Sequence, residues 1–228
     1  FLEGLPRRYL RLVDRRDVYE HVRLARDIHP GEVHLRVTRV APVWVLTAVT
    51  HDKPMLFAII CGVLSSFGMD ILRGHAMTNP NGLVLDVFQF VDDERFLELN
   101  ADAQRRVVQV LETVIAGREE LAVRLRGRER GVLQPKPSAR ITPAVRTDNE
   151  APGRYTILDI VATNALGLLY RVSRVISQHG CDVDLVLIAT EGEKAIDVFH
   201  ITKGGSKLTE AEQQALTSDL HRILEGTS

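Results

Sequence analysis

This chain of 228 residues has a net charge close to zero, only two cysteines and no long apolar run. Its 29 lysines and arginines nearly balance 30 aspartates and glutamates, so nothing in the total charge of −1 indicates a nucleic-acid or membrane partner. No apolar run approaches the ~20 residues of a membrane-spanning helix. The first residues carry Glu3 and Arg7 and lack the apolar core of a signal peptide. Cys61 and Cys181 are typical of small core residues rather than of a disulfide, and we expect a cytoplasmic protein.

Motifs for metal binding and catalysis are also missing. The histidines are scattered without the spacing of H-x₃₋₅-H or H-E-x-x-H, and the dipeptide His51-Asp52 has no further ligand nearby in the sequence. There is no G-x-S-x-G, no P-loop and no Cys–His neighbourhood that singles out a nucleophile. We therefore predict no catalytic residue, no metal and no cofactor. The chain begins with Phe1 rather than Met, from which we expect a piece of a longer protein.

What the sequence does contain is an internal repeat. The segment at residues 49–71 returns at residues 161–183 with a constant offset, since 161 − 49 and 182 − 70 both equal 112. Each copy then reaches an Asp-Val-Phe triplet, at residues 86–88 and 197–199, where the offset 197 − 86 is 111. A repeat with this internal order indicates one supersecondary unit that was duplicated.

Both repeats predict the order strand, helix, strand, strand, helix. Apolar periodicity, stop signals such as Gly68 and turn residues such as Asn81-Gly82 set the boundaries. In the first repeat the predicted elements are strand 43–50, helix 56–67, strands 71–77 and 83–91, and helix 101–116. In the second repeat they are strand 155–161, helix 168–179, strands 183–190 and 195–202, and helix 209–224. 

This order predicts an α+β protein with two tandem ferredoxin-like βαββαβ units, each with an antiparallel sheet and helices on one face. Residues 1–30 are predicted to form a helical connector from a preceding domain. The first unit, with its linker, spans residues 31–150, and the second spans residues 151–228. Residues 141–146 are the candidate closing strand of the first unit, while the second unit has no obvious last strand.

Two loops that each deliver a helix N-terminus are the candidate ligand site. Free backbone N–H groups and the positive end of the helix dipole there suit a carboxylate, and a glycine admits a ligand close to the backbone. Aspartates where the following strand begins suit an ammonium group. Two alternatives stay open: that Asp52 and Asn164 are only helix caps and Gly167 only a turn residue, and that the strand-start aspartates are turn residues. The candidate residues are His51, Asp52, Pro54, Met55 and Asp70 in the first repeat, and Asn164, Ala165, Leu166, Gly167 and Asp182 in the second.

The first loop, Asp-Lys-Pro-Met-Leu-Phe at residues 52–57, resembles the D-R-P-G-L-[FL] opening of ACT domains, which are small amino-acid-sensing ferredoxin-like modules. Residues 164–169 are a looser version of this opening. The remaining similarity is to the C-terminal tandem ACT region of the bifunctional PII uridylyltransferase/uridylyl-removing enzyme family. It is carried by residues 1–10, 70–88, 148–157 and 188–199.

The resemblance implies a regulatory module in nitrogen metabolism. Its ACT pair is expected to bind an amino acid, glutamine in that family, and to control catalytic domains upstream in the same polypeptide. The family's nucleotidyltransferase and hydrolase motifs have no room in this chain, so the chain itself is expected not to be an enzyme.

Three departures from the family pattern leave an alternative open. Met55 replaces the loop glycine of the first repeat, and Asn164 and Leu166 replace the aspartate and proline of the second. If one site works, the second is preferred because it retains Gly167. The alternative is a degenerate ACT pair that acts as a dimerisation or docking module without a ligand. The missing last strand of the second unit favours it, since an open sheet edge invites a homodimer.

Overall fold

The computed structural model describes residues 2–5, 9–125, 141–165, 167–191 and 193–225. An N-terminal pair of helices, α1 (Tyr9–Leu12) and α2 (Arg15–Ala25), precedes the repeats. The first repeat contains β1 (Val33–Val40), β2 (Val43–His51), α3 (Leu56–Ser66), β3 (Asp70–Thr78), β4 (Leu83–Val91), α4 (Phe96–Leu99) and α5 (Ala103–Ile115). The second repeat contains β5 (Ala144–Asp148), β6 (Thr156–Thr163), α6 (Leu168–Gln178), β7 (Asp182–Glu191), β8 (Lys194–Thr202) and α7 (Glu210–Glu225). Residues 121–125 are also helical.

The fold class predicted from the repeat is confirmed. The ten elements predicted above are all present, with ends within two residues of the predicted bounds. Both repeats are antiparallel α+β units, and their strands form one eight-stranded sheet in the order β1-β2-β4-β3-β7-β8-β6-β5. The two repeats pair with each other through β3 and β7, where Arg73, Gly74 and His75 face Leu187, Val186 and Leu185.

The prediction for the closing strands was wrong. Residues 141–146 were assigned to the first unit, but β5 pairs with β6 and closes the second unit. The matching edge of the first unit is filled by β1, a strand not predicted, which pairs with β2. Each unit therefore runs ββαββα rather than βαββαβ, with its edge strand first. The second unit has no missing strand, so the sheet edge that favoured a homodimer is occupied.

The main core lies between the sheet and the helices α3, α5, α6 and α7. Inward residues of the central strands, such as Phe88 and Phe199, are fully buried against the helices. The helices α3 and α6 pack on each other across the junction between the repeats. A smaller core lies on the opposite face of the sheet, where Tyr9 of α1 packs with Met77 and Leu85. The N-terminal segment predicted as a connector thus covers the outer face of the first repeat.

The helix ends follow from local sequence. Gly68 and Gly180 adopt positive φ angles of 75° and 70° and close α3 and α6 in the same way. The N–H of Met69 donates to Leu64 and the N–H of Cys181 donates to Ile176, the six-to-one bonds of a Schellman motif. These two stops place the first residues of β3 and β7, Asp70 and Asp182, at equivalent positions.

Candidate functional site

The two helix-start loops share one backbone conformation. Met55 and Gly167 both occupy the N-cap position with left-handed φ angles, 65° and 72°, and neither α3 nor α6 has a side-chain cap. The alternative that Asp52 and Asn164 are helix caps is therefore wrong. A residue with a Cβ costs about 1–2 kcal/mol in this conformation, so Met55 adopts the geometry that glycine accepts freely.

A cavity of about 570 Å³ lies at the first loop, between the two repeats. Asp52, Pro54 and Met55 line it from the first repeat. Asp182 and Asp184 line it from the second, where α6 ends and β7 begins. The pairing of β3 with β7 thus brings the loop of one repeat to the strand start of the other. Asp52 and Asp182, predicted separately, meet at one site.

The floor of the cavity carries a buried carboxyl group, that of Asp86 on β4. The residue is 1% exposed, and its Oδ1 has no hydrogen-bond partner among the described residues. Burial raises the pKa of Asp86 well above its ordinary value, and the negative charge of Asp52 acts in the same direction. Asp86 was not predicted as a site residue.

Asp182 and Asp184 form the wall contributed by β7. A β-bulge between Val183 and Leu185 interrupts the ladder at Asp184, and such bulges re-aim side chains. Asp184 is 8% exposed and lies 3.6 Å from the guanidinium of Arg154, which also lines the cavity. Asp182 is exposed as a residue, but partial burial of its carboxyl group raises its pKa, as does the charge of Asp52.

The first loop and the start of α3 also contribute groups that suit an anion. Lys53 lies in the loop, and partial burial lowers its pKa. The backbone N–H of Phe57, in the first turn of α3, has no backbone acceptor in the part of the chain that the structure describes. First-turn N–H groups and the helix dipole favour a carboxylate. The cavity therefore presents anionic and cationic groups within one volume.

The second loop has different surroundings. A Cβ added at Gly167 would lie 3.9 Å from the side chain of Leu125, a buried residue of the helical stretch 121–125. Asp70 does not line the cavity, and burial followed by the charge of Asp93 raises its pKa. Asn164 and Ala165 do not line it either, and Leu166 lies outside the described residues.

The remaining predicted residue, His51, ends β2 without lining the cavity, and its Nδ1 has no partner among the described residues. No group of three or more His, Cys, Asp or Glu residues within the described ranges is placed to hold a metal ion. None of the helices described is long and apolar enough to cross a membrane. 

Sequence reasoning missed Asp86, Asp184, Arg154 and Lys53 as cavity residues. One feature of the sequence could have identified Asp86. It is an acidic residue in the middle of the apolar strand Leu83–Val91, and Asp197 holds the equivalent position in the strand Lys194–Thr202. An acidic residue at an inward strand position is rare unless it has a partner or a role.

Two solved structures are similar to this chain at low sequence identity. An aspartate kinase from Synechocystis aligns with 79% of this chain and 27% of its own, with 12% identity and a TM-score of 0.41. A putative glycine cleavage system transcriptional repressor aligns with 79% of this chain and 91% of its own, with 12% identity and a TM-score of 0.28. No protein-family model matches the chain.

Curated sequences give a more specific result. A bifunctional uridylyltransferase/uridylyl-removing enzyme from Ralstonia nicotianae is 32% identical over 198 residues, 84% of this chain and 22% of that enzyme. Enzymes of the same name from Burkholderia orbicola and Azospirillum brasilense are 29% and 28% identical over 91% and 77% of the chain. The chain spans about a fifth of the length of these relatives. It therefore corresponds to one region of the bifunctional uridylyltransferase/uridylyl-removing enzyme family.

Proposed function

We propose that this chain is a regulatory module of the tandem ACT type that binds one free amino acid, glutamine, in the cavity at the first loop. The observation that carries the proposal is the cavity itself, which is built from both repeats and presents groups of both signs. A zwitterionic amino acid needs both an acceptor for its ammonium and donors for its carboxylate.

In this proposal the carboxylate of the ligand binds at the start of α3. There the first-turn N–H groups and Lys53 supply hydrogen-bond donors and positive charge. The ammonium is assigned to Asp182 and Asp52, which lie on the two sides of the junction. A ligand bound in this way contacts both repeats, and its affinity depends on how they are held together.

The output is proposed to be control of catalytic domains elsewhere in the polypeptide. The relatives are enzymes of which this region is about a fifth, and the sequence contains no catalytic motif of its own. We propose that the module acts in the cytoplasm, without catalysis and without a cofactor. Allosteric control requires that the ligand bind the two states of the enzyme with different affinity.

Titration calorimetry with glutamine, with glutamate and alanine as comparison ligands, tests the proposal. We expect saturable binding with one site per chain. Asp182→Asn should weaken it, because an amide does not neutralise an ammonium. Asp70→Asn is the matched control, since Asp70 holds the equivalent position but does not line the cavity. Absence of heat with every amino acid at several temperatures would refute the proposal, as would equal losses in the two variants.

A second candidate function is a docking or dimerisation module without a ligand. Met55 favours it, because a methionine lines the cavity at the position where the family pattern has a glycine. Sedimentation equilibrium separates the two functions. A concentration-dependent dimer that glutamine leaves unchanged, together with no amino-acid binding, would support docking.

A further inference from the structure

Two equivalent buried aspartates, one in each repeat, have different neighbours in the sheet. Asp86 and Asp197 occupy equivalent positions in the Asp-Val-Phe triplets and are 1% and 2% exposed. Asp86 is paired in the sheet with Ala48 on one side and Ala76 on the other. Asp197 is paired instead with isoleucines, Ile160 and Ile188.

This difference decides whether the carboxyl group reaches a cavity. Directly paired residues on neighbouring strands project to the same face of a sheet, so the flanking side chains set the space around each aspartate. Alanines leave open volume where isoleucines fill it. Asp86 and Ala76 accordingly line the cavity, whereas Asp197 and Ile188 do not.

The cavity floor has unused hydrogen-bonding capacity. Oδ1 of Asp86 has no partner among the described residues, and buried polar groups in folded proteins are nearly always paired. Burial raises the pKa of this carboxyl group, which favours the protonated form. A protonated carboxyl group has one O–H donor and one carbonyl acceptor.

We propose that Asp86 is the specificity-determining residue of this site, and that its carboxyl group hydrogen-bonds the terminal carboxamide of the bound amino acid. The inference rests on the proposed function, which assigns the ligand's charged groups to Asp182 and the start of α3. The side chain of the ligand is then directed to the floor. A carboxamide offers one acceptor and two donors, which complement a neutral carboxyl group.

Charged side chains fit the floor less well. A glutamate side chain would bring another carboxylate close to Asp52, Asp182 and Asp184, which also line the cavity. A lysine side chain would require Asp86, which is 1% exposed, to ionise, and burial disfavours the charged form. The site therefore selects a neutral side chain that can both donate and accept.

The test compares glutamine with norvaline, which has the same five-carbon chain with a methyl group in place of the carboxamide. The wild-type chain should bind glutamine about tenfold or more tightly than norvaline, since two hydrogen bonds are at stake. Asp86→Asn keeps a donor and an acceptor and should preserve most of this ratio. Asp86→Leu should reduce the ratio to near one while norvaline still binds. Asp197→Asn is the matched control and should leave the ratio unchanged.

Failure of the inference is distinguishable from failure of the proposed function. If Asp86→Leu is folded by circular dichroism and keeps the wild-type ratio of glutamine to norvaline affinity, Asp86 does not contact the side chain of the ligand. If Asp86→Leu binds glutamine and norvaline equally less tightly than the wild type, Asp86 does not distinguish the ligand side chains. Tighter wild-type binding of lysine than of glutamine would also overturn the inference. Binding of no amino acid by the wild-type chain refutes the proposed function and the inference with it.

A second pair of variants tests the floor by volume. Ala76→Ile puts into the first repeat the residue that stands beside Asp197, and it should weaken glutamine binding at least about tenfold by filling the floor. Ile188→Ala makes the opposite change away from the cavity and should leave that affinity unchanged. Wild-type affinity in Ala76→Ile would show that the ligand does not reach Asp86.

Discussion

Replacing Asp197 by asparagine should stabilise the protein at neutral and alkaline pH. Asp197 lies on β8 between two isoleucines, and its Oδ1 has no hydrogen-bond partner in the described ranges. Burial raises its pKa from 3.8 to about 7 in the folded state. An unfolded chain exposes this carboxyl group to water, so its pKa there returns to the ordinary value.

The sign and size of the effect follow from proton linkage. Below pH 3.8 the carboxyl group is protonated in both states and costs nothing extra. Between pH 3.8 and about 7 only the unfolded state loses the proton, so stability falls as the pH rises. At about 1.4 kcal/mol per pH unit, the whole interval amounts to about 4 kcal/mol. Asparagine cannot ionise, so Asp197→Asn should be nearly neutral at pH 4 and about 4 kcal/mol more stable than the wild type at pH 8.

Urea unfolding at several pH values between 4 and 9 measures this difference directly. Asp159→Asn is the matched control, because Asp159 lies half-buried on the neighbouring strand β6. The gap between Asp197→Asn and the wild type should widen with pH up to about 7 and then stay constant. A gap that does not change with pH, or one that Asp159→Asn reproduces, would refute the assignment of a buried, neutral carboxyl group.

Two glycine replacements test the packing at the junction and the loop geometry. Gly74→Ala should cost about 1–3 kcal/mol in urea unfolding, because its Cβ would lie 2.9 Å from the ring of Phe57 and 3.0 Å from Val186; unchanged stability would show that the ring moves freely. Gly167→Ala should cost about 1–2 kcal/mol through its φ of 72° alone, since the new Cβ meets only an ordinary contact with Leu125. Gly167→Asn should cost less, because asparagine tolerates the left-handed conformation, and equal costs for the two variants would contradict the backbone explanation.

The order of elements within each repeat could be predicted because apolar periodicity and helix-ending glycines are local properties of the sequence. Helix α3 is marked by its apolar stripe and by Gly68, and its counterpart by Gly180. The partner of an edge strand is not a local property. Residues 141–146 looked like the end of the first unit, yet β5 is only seven residues from β6, and a short connection closes at low entropic cost. The edge of the first unit was already taken by β1, whose alternating apolar residues Val33, Leu35 and Val37 pack on the main core.

The candidate site was only half predictable for the same reason. The loop residues Asp52 and Met55 stood out in the sequence, and so did Asp182 at its strand start. That they line one cavity depends on the antiparallel pairing of β3 with β7, a contact between residues more than a hundred positions apart. The floor residue Asp86 and its neighbour Ala76 required the register of the sheet, which fixes the side chains that stand next to each other.

Strand β3 also gives the site a mechanical connection to the rest of the chain. Ala76 and Thr78 line the cavity on one face of this strand. Between them Met77 points to the opposite face, where it is 1% exposed and packs with Tyr9 of the N-terminal helices. The backbone of β3 therefore carries the cavity wall on one face and the packing of α1 on the other. A displacement of β3 at the cavity would thus be a displacement at the contact between Met77 and Tyr9, which lie in one core on the opposite face of the sheet.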